Sequence, residues 1–275
     1  MQAMSEDGEP AGDPRGILHA RAGLASFALA RHHPSPELAP FVDYLWSVEW
    51  DRRGEPPHEQ RILPNPALHV SVEPERCAVT GPGRTAWAYE LTGHGRVVGV
   101  RFRPGGGRPW TAAPLAELAD RELPLSALPR LAGLDAPALQ GAVQEAPDAS
   151  AAAARVDAVL APLRPDPDPA VDRAGELVAV VDAEPAIRRV EQLAERLGLS
   201  VRGLQRFCAE RIGIAPKELI RWARLHEAAG RAAAGPVDWA ALASELGYAD
   251  QAHLVRDFRR VVGEPPARYA RTAAP

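Results

Sequence analysis

Two cysteines, Cys77 and Cys208, are the only thiols in 275 residues, and 131 positions separate them. That spacing gives neither a disulfide framework nor a zinc cluster, and it fits a reducing cytoplasm. No apolar run approaches the roughly 18 residues that a membrane helix needs, so no membrane partner is expected. The opening MQAMSEDGEPAGDPRG lacks the cationic-then-apolar order of a secretory leader. Catalytic signatures are missing as well: there is no G-x-S-x-G nucleophile turn and no H-E-x-x-H zinc helix. Gly105-Gly106-Gly107 has no following Lys-Ser/Thr to hold a phosphate. GHGRVVG (93–99) precedes a strand, whereas a dinucleotide-binding turn follows one. His58, His69 and His94 lack a close His-x-His pair, so the sequence implies no metal, no cofactor and no catalytic residue. Cys77, although it follows Arg76, reads as a buried strand cysteine and not a reactive thiol.

What is present is ordinary for a globular chain, 46% hydrophobic and 25% charged, and long enough for two domains. The net charge of −4 hides an asymmetry. From Glu184 onward 15 basic residues stand against 11 acidic ones, so the basic surplus lies at the C-terminal end. A mildly basic third is weak evidence for an anionic partner when taken alone.

Residues 1–30 are dominated by Glu, Asp, Gly and Pro and are expected to be poorly ordered. Short aromatic or β-branched runs at 41–50, 58–64, 67–73, 76–80 and 96–104, parted by Gly/Pro turns, read as strands. In the last of these Val98, Val100 and Phe102 alternate with Gly99, Arg101 and Arg103, the period of a strand with one buried face. After Pro114 the chain turns Ala- and Leu-rich. Residues 31–160 are therefore assigned to a β-rich domain with trailing helices, 161–169 (APLRPDPDP) to a Pro-rich linker, and 170–272 to helices. The expected helices are 170–182, 186–197, 201–212, 216–233, 238–246 and 251–262. The fold class is α+β.

The helical third contains an internal duplication. Val190, Leu193, Ala194, Leu197 and Gly198 recur 49 residues later as Trp239, Leu242, Ala243, Leu246 and Gly247. After one inserted residue the offset becomes 50: Ser200 pairs with Asp250, Leu204 with Leu254, Arg206 with Arg256, Gly213 with Gly263 and Pro216 with Pro266. An apolar helix, a short turn and a second helix behind a capping residue, made twice, is the helix-turn-helix pattern. Amphipathic helices of any bundle would explain the apolar positions. They would not explain a matched cap, arginine, glycine and proline.

The text VEQLAERLGLSVRGLQRFCAERIGIAPKELIRWARLHEA followed by WAALASELGYADQAHLVRDFRRVVGEPPARY resembles the AraC/XylS family of bacterial regulators. The resemblance implies two helix-turn-helix units joined by a long helix, double-stranded DNA as partner, and base contacts from Arg202, Gln205, Arg206, Gln251, Val255 and Arg256. Ala252 also falls on the groove side of the second recognition helix, His253 is a candidate phosphate contact at its start, and Arg259 and Arg260 come near the DNA backbone. Leu204, Phe207 and Cys208 are expected to face inward, as are Leu254, Phe258 and Val262; Cys208 departs from the phenylalanine usual in the family and present at Phe258. Leu219, Trp222, Ala223 and His226 should form one stripe packed between the two units. The N-terminal half looks like a sensor-type domain, by analogy a cupin-like unit for an unknown small-molecule effector or for homodimer formation. RNA polymerase is a further candidate partner. Two other readings stand beside this one: a small-molecule-binding protein or enzyme acting through the N-terminal half, and a protein whose helical repeat packs only on other proteins.

Overall fold

The structure, a computed structural model, describes residues 26–84 and 86–273. Eight strands open the fold: β1 (Ala28–His32), β2 (Val42–Arg52), β3 (His58–Ile62), β4 (His69–Val72), β5 (Cys77–Thr80), β6 (Trp87–Leu91), β7 (Gly93–Phe102) and β8 (Glu122–Leu123). Six of them form an antiparallel sheet in the order β1-β2-β7-β4-β5-β8, while β3 and β6 pair as a separate ribbon. The N-terminal domain is thus β-rich, as expected. Residues 28–30 of the segment expected to lack order belong to β1, and residues 1–25 lie outside the described residues.

Two helices, α1 (Ala136–Gln144) and α2 (Ala149–Leu160), cover one face of the large sheet. Leu139, Val143, Val156 and Leu160 pack there with Val70, Val72, Val98, Val100 and Phe102, all buried in one core. Asp135 and Asp148 cap the two helices by accepting from the backbone N–H three residues on. The other face is buried too, because Val97 joins Phe27, Trp50 and Leu91 in a second cluster. The alternation in β7 therefore reads one face correctly and misses the other, since an Arg/Gly register looks polar although Gly99 lies beneath the Trp46 indole.

The remaining helices are α3 (Ala170–Ala183), α4 (Val190–Arg196), α5 (Val201–Phe207), α6 (Pro216–Ala234), α7 (Trp239–Glu245), α8 (Gln251–Val262) and α9 (Pro266–Ala273). The first turn-containing unit closes around Leu193, Leu204, Cys208, Ile212 and Leu219. The second closes around Leu242, Leu246, Leu254, Phe258 and Val262. Helix α6 serves both, giving Leu219, Ile220 and Trp222 to the first and Leu225, Ala228, Ala229 and Ala232 to the second. His226 leaves the expected stripe. It lines a cavity against the β domain and bonds to the backbone of Pro64.

Residues 161–169 form a tight turn (Ala161–Leu163) and an extended passage with Pro165 buried. This passage is tied down: Asp168 pairs with Arg211 of the first unit, and Arg130 donates to the Leu163 carbonyl at 3.3 Å. Further ties between the halves are Arg108 to Glu210 at 2.7 Å, Arg103 to Asp172 at 2.8 Å, and the Ala86 N–H to the Val261 carbonyl at 3.1 Å.

Cys208 is fully buried, and burial pushes its thiol up to about 12. It should react with a thiol reagent far more slowly in the native protein than in denaturant, and equal rates would contradict its burial. Cys77 is half-buried in β5, donates weakly to the Ala136 carbonyl, and is pushed up to about 11, chiefly by burial.

Candidate DNA interface

The two copies of the repeat have matching local geometry. Leu199 N–H closes on the Ala194 carbonyl and Tyr248 N–H on the Ala243 carbonyl, each at 2.8 Å, so both first helices end in the same way. The turn residues Gly198 and Gly247 have φ of 64° and 73°, a left-handed conformation that side chains resist. Each second helix then starts on a side-chain cap. Ser200 Oγ accepts from Gly203 N–H at 3.1 Å, and Asp250 Oδ1 accepts from His253 N–H at 2.7 Å. Removing the second cap, Asp250→Ala, should cost about 1 kcal/mol of stability, read as a lowered denaturant midpoint at unchanged slope; no change would mean that the cap is idle.

The copies part company at one place. Helix α8 runs unbroken to Gly263, whereas α5 gives way at Cys208 to a π turn (Cys208–Ile212) closed by Gly213 N–H on the Cys208 carbonyl at 2.8 Å. The expected helix 201–212 is thus two conformations. The change begins at the residue where the second copy has Phe258. Phe207 beside it packs against the first unit's core and is half-buried beneath Arg173, whose guanidinium lies 5.7 Å from the ring centre.

Inward and outward faces follow the sequence reading. Leu204, Cys208, Leu254, Phe258 and Val262 are buried. Arg202, Gln205 and Arg206 are exposed on α5; Gln251, Ala252, His253, Arg256, Arg259 and Arg260 are exposed on α8, with Val255 half-exposed. Most arginines of the described residues are engaged by acids or carbonyls, but Arg202, Arg206, Arg256 and Arg259 carry no ion pair or hydrogen bond among them. Arg260 differs, since it holds Asp257 at 2.9 Å. The His253 ring packs edge-on against Tyr248, 5.1 Å between centres, and the Arg224 guanidinium lies 4.5 Å from the centre of the same Tyr248 ring.

Sequence reasoning did not find how the units are joined on their outer side. Arg188, just before α4, donates to the Glu245 carbonyl at 2.7 Å, bridging the first unit to the end of α7 in the second. A Cβ on Gly247 would lie 2.5 Å from that arginine's flexible side chain, which can shift, so it is the left-handed φ of 73° that favours glycine there. The β domain in turn touches the far ends of both recognition helices. Gly213 sits against the Leu115 carbonyl and Pro82, and Gly263 against the Arg61 guanidinium.

Residues 193–272, which span both units, match the model of a helix-turn-helix domain. The C-terminal region is an AraC-type helix-turn-helix domain. Residues 30–124 match a domain of unknown function, which covers all eight strands apart from the start of β1. Among solved structures, a probable AraC family transcriptional regulator from Rhodopseudomonas palustris is 26% identical over 39% of this chain and 100% of its own, with a TM-score of 0.33. ToxT from Vibrio cholerae is 12% identical over 90% of this chain and 98% of its own, with a TM-score of 0.39. A ToxT structure with bound unsaturated fatty acid is 11% identical over 93% and 92%, with a TM-score of 0.38. No curated protein matches the chain. With its AraC-type domain the chain is a DNA-binding transcription regulator.

Among the described residues no group of three His, Cys, Asp or Glu side chains is placed to hold a metal, and no helix is long and apolar enough to cross a membrane. His69 lies on a cavity wall bonded to Asn65, and His58 packs on Phe27.

Proposed function

We propose that one protomer of this AraC-type regulator reads two successive major-groove segments, with α5 in the first and α8 in the second. The observation that supports it most is the pairing of equivalent, exposed and unengaged arginines, Arg206 and Arg256, on two helices built with the same caps and turns. Arginine forks onto the O6/N7 edge of guanine, and Gln205 and Gln251 suit the N6/N7 edge of adenine. Arg202, Ala252 and Val255 complete the base-facing surface, with Ala252 and Val255 suited to thymine methyl groups. Arg259 and His253 are placed for phosphates. Arg260 can reach a phosphate only by sharing its charge with Asp257.

The β domain is the sensory part of this reading. It forms one wall of a partly open cavity shared with the helical region and packs on both DNA-binding units, so a small molecule held there has a physical route to the reading helices. RNA polymerase and a second copy of the chain are the remaining partners of the proposal. Selection of bound sequences from random DNA by the full chain tests it. A site preferred over scrambled DNA by about 10³-fold or more at physiological salt is expected. Equal affinity for both would remove the claim of sequence specificity.

A further inference from the structure

The two DNA-binding units complete their cores in different ways. The first is closed by α3, which supplies Ala174, Leu177, Val180 and Val181, and among the described residues every member of its core comes from the helical region. The second is closed by Tyr269 of α9 and by α6, which gives it Leu225 and three small side chains, Ala228, Ala229 and Ala232. Its core also contains a residue of the β domain. Leu63 is buried there to 6% exposure, and Ala86 of the same domain packs against it. Ile62 pairs with Trp87 where β3 meets β6, so Leu63 and Ala86 both lie at one end of that ribbon.

The same ribbon end caps α8. The last carbonyls of a helix have no partner within it. Four residues beyond Val261 stands Pro265, which has no N–H to offer, and the Val261 carbonyl accepts instead from the Ala86 N–H at 3.1 Å. The Arg61 guanidinium packs against Gly263, which ends α8 with a φ of 90°. A positive charge therefore stands at the negative end of the helix dipole. Pro64 is held from α6, because its carbonyl accepts from the His226 ring. Contacts of the β domain with the first unit lie at its rim, such as Arg108 to Glu210 at 2.7 Å and Arg84 to Glu218 at 3.9 Å.

We propose that Leu63 is a positioning residue of the second DNA-binding unit. With the ribbon end that carries it, Leu63 completes that unit's core while its neighbours cap α8, and together they fix the angle at which α8 presents Gln251, Val255 and Arg256. A recognition helix reads base edges from one placement in the groove, and a helix held beforehand loses less freedom on binding. The inference rests on α8 being a recognition helix, as proposed above.

Hydrogen exchange and guanine-methylation interference on the full chain test it together. Leu63→Ala should speed amide exchange across residues 239–273 by at least about tenfold and leave residues 190–214 unchanged. It should also lower operator affinity by about tenfold and erase the interference cluster assigned to α8, while that of α5 stays. The conservative Leu63→Met should restore both. Arg61→Gln, which removes no core contact, should weaken the same cluster with the thermal midpoint unchanged. Exchange that rises equally in both units, operator affinity that is unchanged or higher in Leu63→Ala, or joint loss of both clusters would each overturn the proposal. A wild type without an α8 cluster would instead fail the reading of α8, and the exchange contrast would then decide by itself whether Leu63 completes the second core.

Discussion

Arg206→Ala and Arg256→Ala should each weaken specific operator binding by about 1–3 kcal/mol, and each should relax preference at a different place, roughly ten base pairs apart. Both side chains are exposed, neither is engaged by an acid, and each sits two residues beyond a fully buried leucine, Leu204 or Leu254. Truncation therefore removes no internal contact, and thermal stability should not move. Arg259→Ala should behave otherwise: it should weaken all sequences about equally and lower the salt dependence by about one phosphate contact. Titrations on operator and scrambled DNA at two salt concentrations separate these outcomes. If discrimination between the two DNAs survives both Arg206→Ala and Arg256→Ala, the assignment of the reading faces fails.

Phe258→Ala should cost about 3–5 kcal/mol of stability, enough to unfold the second unit of a marginally stable domain. Phe258 is fully buried, with Trp239 at 6.4 Å and Tyr269 at 5.6 Å between ring centres, so three helices, α7, α8 and α9, lose their common contact together. The equivalent residue of the first unit, Cys208, is far smaller, and Cys208→Ala should cost much less. Denaturant unfolding of the two variants checks the contrast. Equal losses would mean that the second core does not depend on its aromatic centre.

The helical third was legible because its signals are local and doubled. Caps at Ser200 and Asp250, glycines at 198, 247, 213 and 263, and leucines at helical spacing each specify one feature, and the repeat checks every one of them against a second copy. What escaped the sequence depends on contacts across the fold. Helix α4 starts at Val190, not at 186, because Gln192 Oε1 takes the N–H groups of Arg188 and Arg189 at 3.0 Å. Helix α9 follows Pro266 in the same way that α6 follows Pro216, but its short run with three polar or charged residues gave too weak a period to read. Strand β1 was missed since ALARH alternates poorly and owes its order to pairing with β2, and β8 is only two residues long; β6 was passed over although Trp87, Tyr89 and Leu91 alternate with Ala88 and Glu90. The outward displacement of His226 could not be foreseen. A stripe at helical spacing says that a residue faces a neighbour, and here the neighbour is the β domain and not the second unit.

The central claim, two recognition helices of one protomer in two successive major-groove segments, is tested most directly by guanine-methylation interference on a selected operator. The account predicts two clusters of interfering guanines on one face of the duplex, their centres about one helical turn or roughly 34 Å apart, with Arg206→Ala erasing one cluster and Arg256→Ala the other. A single cluster, or two that fade together in either variant, would contradict it.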